Sequence, residues 1–486
     1  VAAAECLQAP ASVPAASHAS RASAYRAASE SGGVVSEKQF DGEIFRRGED
    51  GYEQARSAAV WNARTPERFP EAIVLAGSEQ DAVRAVRWAA AREMKIGVRS
   101  GGHSWAGNHV RDGGMLLDLS RLREAAVDAE AMSASVQPGC PGNELVAKLA
   151  EHDLFFPAGH CVGVAVGGYL LQGGYGWNGR VHGPACMSVE AIDVVLADGR
   201  LVHASAHENA DLLWAARGAG PGFFGVVTRF HVRVQPRPKV VANGLVLYGI
   251  EELEQVFRWA QELGPRVPRN MELMLIVHRT EDGELEIAVT GPVLADDEQQ
   301  ARAALSLLQT CPALERAKLC EPYIPVALDD LYAGVHAAYP DEHRYSADNM
   351  WTHAPVEQLL PGLRRIAETM PDAPSHMLWM NWGPGSEPAP PRPDMAYSVE
   401  DDTYIALYGV WQEQARDEAN VAWATERMRE MEHLASGIQL ADENLGNRPA
   451  RFLSEAHMSR LDDLRAIHDP HERFHPWMGR PAEAGP

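Results

Sequence analysis

Residues 155–183, FFPAGHCVGVAVGGYLLQGGYGWNGRVHG, restrict the fold more than any other stretch of this chain, with glycines at 159, 163, 167, 168, 173, 174, 176, 179 and 183. Glycines this dense mark backbone that turns tightly or that another group approaches closely. His160-Cys161 stands near the head of the run. A cysteine beside bare backbone can be a buried small hydrophobe, a metal ligand, a nucleophile or an attachment point. The other cysteines (6, 140, 186, 311 and 320) show neither metal-type spacing nor a secretory disulfide framework. A second stretch, RSGGHSWAG at 99–107, ends the apolar run KIGVRS in a Gly-rich turn. There Ser100, Gly101 and Gly102 expose backbone N–H groups with little side-chain obstruction, an arrangement suited to a pyrophosphate.

Between Pro70 and Ser104 the pattern predicts a βαβ unit: a strand over Ile73–Ala76, a helix opened by Ser78 with Asp81 three residues on, and the strand KIGVRS. GGMLLDLSRL, MSASVQPGC and GVVTRFHVRVQP read as further strands, GNELVAKLAEHD as a helix, and VEAIDVVLADGRLVHAS as a hairpin turning at Asp198-Gly199. From about residue 237 the texture changes to long alternating strands, MELMLIVHR, ELEIAVTGPV, HMLWMNWGP and TYIALYGVWQ, with amphipathic helices such as EELEQVFRWAQELG between them. The fold class is α+β, with one large, mostly antiparallel sheet in the second half.

A formal charge of −23 argues against nucleic acid or an anionic membrane as the main partner. No apolar run approaches the roughly 20 residues that span a bilayer. Residues 1–37 form an Ala/Ser-rich leader without the apolar core of a secretory signal, read as a disordered tail, and the expected compartment is cytoplasmic.

Taken together, PEAIVLAGSEQDAVRAVRWA, RSGGHSWAG, LLDLSRL, VQPG and ENADLLWAARGAGPGFFGVVTRFHVRV resemble the FAD-linked oxidases of the berberine bridge enzyme type, in the vanillyl-alcohol oxidase superfamily. The resemblance implies a PCMH-type FAD-binding domain over 38–236 and a substrate domain over 237–435, its antiparallel sheet covered by helices. A segment 436–486 would return to the first domain. FAD would be attached twice, through His103 to the 8α-methyl and through Cys161 to C6. His160, the nearest rival to His103, lacks the strand–Gly-Gly context. Implied FAD-binding positions are Arg99, Ser100, Gly101, Gly102, Ser104 and Gly107 in the first stretch. In the second they are Gly167, Gly168, Gly173, Gly174, Tyr175, Gly176 and Trp177, and Val226 and Val227 would lie at the adenine end.

The implied reaction is hydride transfer from a bulky alcohol, hemiacetal or similar small-molecule donor to the flavin, with dioxygen as acceptor and hydrogen peroxide as product. It needs a base for the substrate proton. Where relatives carry a Tyr-x-Asn-Tyr segment this chain has SGIQLADENL, with Gln439 at the tyrosine's place, and glutamine cannot act as a base. Glu387 and Tyr408 are the candidates that replace it. Alternatives on the same fold are a dehydrogenase, an oxidative cyclase of secondary metabolism and a flavin-carrying protein with little turnover. Neither the substrate nor the oligomeric state is legible.

Two patterns mislead. Gly220, Gly222 and Gly225 match the spacing of a dinucleotide fingerprint, but the alternating strand VVTRFHVRV follows where that motif requires a helix. His468, His471 and His475 cluster near the end of the chain, and His336, His343 and His353 lie in its middle, neither set with ligand spacing. No metal site is expected.

Overall fold

The structure is a computed structural model describing residues 35–383 and 385–481. The expected tail, 1–37, falls outside these residues apart from its last three. Two small sheets, with the short two-stranded pair Leu154–Phe155 and Gln235–Pro236, form the first half. In one, the strands run Glu43–Arg46, Ala72–Leu75, Met115–Asp118 and Ile96–Arg99 across the sheet, the first pair antiparallel and the rest parallel. In the other, five antiparallel strands run Ala125–Asp128, Ser133–Val136, Val226–Arg233, Val189–Val195 and Leu201–Ser205.

The helix Glu79–Ala90 touches strands of both sheets and buries Val83, Val86 and Trp88 between them. Ser78 caps it, its hydroxyl accepting from the Asp81 backbone N–H at 3.2 Å. The Asp81 carboxylate does not reach back to complete a capping box. Instead, fully buried, it accepts from the backbone N–H groups of Asp41 (3.0 Å), Gly42 (2.8 Å) and Gly77 (3.0 Å), tying the first strand's approach to the helix start.

The second half is an eight-stranded antiparallel sheet. Alternation divides its residues between two faces. Leu275, Val277, Met377, Trp379, Ile405 and Leu407 pack in one core with the helices Leu253–Leu263, Val356–Glu368 and Asp417–Met431. On the opposite face Met274, Ile276, His278, His376, Leu378, Met380, Tyr404 and Tyr408 look into a cavity. The strand Arg344–Thr352, unassigned from sequence, lacks alternation because every residue after Arg344 is buried.

The chain then crosses back in two stages. Residues 437–448 stay on the large sheet: Gly437 pairs with Trp351, and Asn349 brackets Gln439 by accepting from its N–H (2.7 Å) and donating to its carbonyl (3.0 Å). That segment already touches the first half through Trp105, which donates to Asp442, and the helix Glu455–His468 and the residues beyond it complete the return, the Ile96 N–H donating to the Arg473 carbonyl at 2.7 Å.

Candidate active site

A cavity of about 860 Å³ lies between the Gly-rich loops of the first half and the inner face of the large sheet, near the top of the roughly 300–1,000 Å³ usual for ligand sites. Its floor begins where the strand Ile96–Arg99 ends. Arg99 is fixed by Asp118, Nη1 to Oδ2 at 2.5 Å, and its buried Nε has no partner. Gly102 has φ +79, and a Cβ there would lie 2.4 Å from the Ala59 carbonyl oxygen, so only glycine makes this turn. His103 follows, stacked on Trp61 with ring centroids 5.0 Å apart. Burial, and secondarily the Arg99 charge, lower its pKa to about 4, so the imidazole is neutral at physiological pH.

Cys161 opens onto the same cavity, and burial with the nearby Asp442 charge pushes its thiol up to about 12. His160, beside it, is held by Glu272 at 2.9 Å and meets Trp177 edge-on at 4.4 Å.

Of the expected FAD-binding residues, Arg99 to Ser104, Cys161, Gly167, Gly168, Tyr175, Trp177 and Val227 line the cavity. Gly107, Gly173, Gly174, Gly176 and Val226 do not, which corrects the reading of those glycines as ligand-facing. Their work is close packing: a Cβ on Gly173 would lie 2.8 Å from the Tyr397 ring, on Gly174 2.9 Å from Tyr169, and on Gly176 1.9 Å from the Ala158 carbonyl. Gly107 sits on Pro66, and Val226 is buried in its strand.

The residues present fit a flat dinucleotide cofactor. Gly168 lines the cavity, and a Cβ there would meet nothing within 4 Å, so it would project into the cradle. Arg99 Nε, Asn108 Oδ1, Trp177 Nε1 and His475 Nε2, all on cavity-lining residues, are buried without partners. Buried polar atoms of this kind call for a polar ligand.

At the sheet end of the cavity lies a hydrogen-bonded cluster of which sequence reasoning named Tyr408 but not Asp442, Tyr404, Tyr339 or His376. Asp442 Oδ2 accepts from the hydroxyls of Tyr408 (2.8 Å) and Tyr404, and its Oδ1 accepts from Trp105 Nε1 at 2.7 Å. Tyr408 also packs against Tyr339 and His376, with centroids 5.2 and 5.0 Å away. The Tyr339 hydroxyl is 2.9 Å from His376 Nε2, and His376 Nδ1 is 3.0 Å from the Pro374 carbonyl. A carbonyl only accepts, so Nδ1 carries the proton and Nε2 accepts from Tyr339. Burial holds Tyr339, Tyr404 and Tyr408 well above the ordinary phenol pKa, and the Asp442 charge adds to it. The available signals were the spacing of Tyr404 and Tyr408, four apart on one strand face, and an acid three residues after Gln439.

Gln439 is buried and lines the cavity. Glu387 is corrected: it is exposed and outside the cavity lining. The strand ends at Asn381, and the chain turns away through Gly383 and Gly385, the latter at φ +65. The C-terminal histidines do not converge: His468 pairs with Asp211 at 2.7 Å, His471 is exposed, and His475 lines the cavity.

His109, at the cavity's edge with Nε2 2.8 Å from the Ala59 carbonyl, is buried and its pKa is lowered to about 3. The unfolded chain protonates this histidine near pH 6.5, so its contribution to stability is complete above that pH and falls as pH drops toward 3, by roughly 1.4 kcal/mol per unit. His109→Asn should flatten that part of the pH–stability curve, measured by urea unfolding between pH 7 and 5.

A family described as FAD binding domain matches residues 70–205. FAD-linked oxidoreductase nodO of Hypoxylon pulicicidum is 31% identical over 433 residues, spanning 87% of this chain and 94% of that protein. The carbohydrate oxidase of Microdochium nivale is 32% identical over 272 residues, 53% of this chain and 52% of that protein. Among solved structures, 6-hydroxy-D-nicotine oxidase from Arthrobacter nicotinovorans superposes with a TM-score of 0.78 at 21% identity, covering 92% of this chain and all of the other. Among the described residues no helix is long and apolar enough to cross a membrane.

Proposed function

Since this chain belongs to the FAD-linked oxidoreductases of the berberine bridge enzyme-like flavoprotein family, we propose that it oxidises a bulky, largely apolar alcohol or similar C–H donor on FAD tethered by His103 and Cys161. When bound, FAD would supply a two-electron acceptor, with dioxygen taking those electrons on and leaving as hydrogen peroxide. The observation that carries the reading is Asp442, an ionisable carboxylate at the cavity wall with two tyrosine hydroxyls on one oxygen.

Ser100, Gly101 and Gly102 would hold the diphosphate with backbone N–H groups, and Val227 would flank the adenine. The Trp61 ring keeps the neutral His103 imidazole in place for attachment. Tyr408 takes the substrate hydroxyl proton while passing its own to Asp442, and Trp105 holds the other carboxylate oxygen.

The apolar character of the substrate follows from the walls: Met274, Ile276, Leu378 and Met380 on the sheet, with Leu331 and Val335 from the helix Leu328–Ala338 opposite.

A tryptic mass map of the denatured protein tests the reading. One FAD joined to both the His103 and Cys161 peptides is expected. Attachment to His103 alone would remove Cys161 from the proposal, and a colourless protein without FAD would overturn it.

A further inference from the structure

We infer that Asp193, His203 and His231 form a binding site for a single transition-metal ion, Zn2+ being the cation their chemistry suits best, on the five-stranded sheet of the first half. Asp193 lies on the strand Val189–Val195, His203 directly opposite it on Leu201–Ser205, and His231 on Val226–Arg233 opposite Ala191. Ala191 and Asp193 are two residues apart on one strand, so the sheet's alternation brings all three side chains to one face.

The ring nitrogens, not the ring edges, point inward. His203 Nδ1 is 2.8 Å from Asp193 Oδ1 and His231 Nε2 is 3.1 Å from Asp193 Oδ2. One ligand atom from each residue falls within 4.8 Å of the others. Tetrahedral zinc ligands at about 2.0–2.1 Å sit about 3.3 Å apart, so the two carboxylate–imidazole distances of 2.8 and 3.1 Å already lie within about half an ångström of that spacing. Two imidazoles and one carboxylate suit a borderline ion such as Zn2+, whereas Mg2+ and Ca2+ prefer all-oxygen shells. Three protein ligands leave a fourth position for water.

The side chains are partly exposed, at 26% for Asp193, 34% for His203 and 25% for His231, so an ion reaches them from solvent. Arg229, opposite Asp193 in the sheet, is committed elsewhere: Nε to Glu79 at 3.1 Å and Nη2 to Glu124 at 3.2 Å. None of the three ligands lines the large cavity, so the site is separate from the FAD site. Its ligands come from three neighbouring strands, one of them, Leu201–Ser205, at the sheet's edge. A bound ion therefore clips that edge to the sheet.

The full-length holoprotein, stripped with EDTA and dialysed against ZnCl2, should retain one zinc per chain by elemental analysis. His203→Ala and His231→Ala should each weaken binding by more than the roughly 10–100-fold that loss of an outer-shell partner costs, with flavin absorbance unchanged as a sign of folding. Retention of no zinc, or undiminished retention in both variants, would overturn the site. A zinc-edge anomalous map from a soaked wild-type crystal decides independently of the variants. A peak among the three side chains supports the site, and a peak only elsewhere, or none, refutes it.

Discussion

Asp442→Asn is expected to lower kcat by about 10²–10⁴-fold, the range usual for loss of a general base, while FAD content and absorbance stay as in the wild type. Asparagine matches aspartate in shape but cannot take up a proton. Its amide also places an N–H₂ group against Trp105 Nε1 or against the two tyrosine hydroxyls, all donors in the native site. The loss should therefore fall on kcat more than on KM. Tyr408→Phe should lose less, because Tyr404 still reaches the same carboxylate oxygen. Anaerobic stopped-flow reduction of the flavin measures the step directly. Asp442→Asn activity within about threefold of wild type would place the base elsewhere.

This cluster shows where sequence reading stops. The strands that carry it were legible, since Met274–Arg279, His376–Asn381 and Thr403–Trp411 alternate and have one face in a core and one in a cavity. Tyr408 could be named because its strand could be named. Asp442 could not, because its partners are assembled only by the fold: Trp105 lies 337 residues away in sequence and Tyr404 38. The strand Arg344–Thr352 was silent because its buried positions include the polar residues Ser346, Asp348 and Asn349, which break the apolar run by which the equally buried Thr403–Trp411 is recognised. Glycine spacing was ambiguous in a different way. Gly168 faces open cavity with no protein atom within 4 Å of a Cβ, whereas Gly173 has no room for one beside Tyr397. Residue type alone does not separate the two cases. Glu387 was placed by likeness to the family's strand-borne base, but the strand ends at Asn381 and the turn through Gly383 and Gly385 carries Glu387 to the surface.

Arg448→Met should destabilise the protein by about 3–5 kcal/mol, the cost of leaving a buried charge without its partner. Asp348 and Arg448 are 1% and 3% exposed, with Nη2 2.5 Å from Oδ1 and Nε 3.1 Å from both carboxylate oxygens. Arg448 Nη2 also donates to the Asn349 carbonyl at 2.7 Å, and Asn444 donates to Asp348 Oδ2 at 2.9 Å. These bonds fasten residues 437–448 to the strand Arg344–Thr352, and Asp442 is carried on that segment. Burial already raises the Asp348 pKa, with Arg448 as the main opposing influence. Without the guanidinium it rises further, so the folded variant binds a proton that the unfolded chain binds only near pH 4. A carboxylate with a raised folded pKa gains stability as pH falls. The deficit of Arg448→Met against wild type should accordingly be largest at pH 8 and shrink toward pH 5, and Asp348→Asn added to it should recover part of the loss at pH 8. Urea unfolding of the three proteins at both pH values checks this. An equal deficit at pH 8 and pH 5 would mean that the arginine acts through packing and its bond to Asn349, with the charge of Asp348 playing no part.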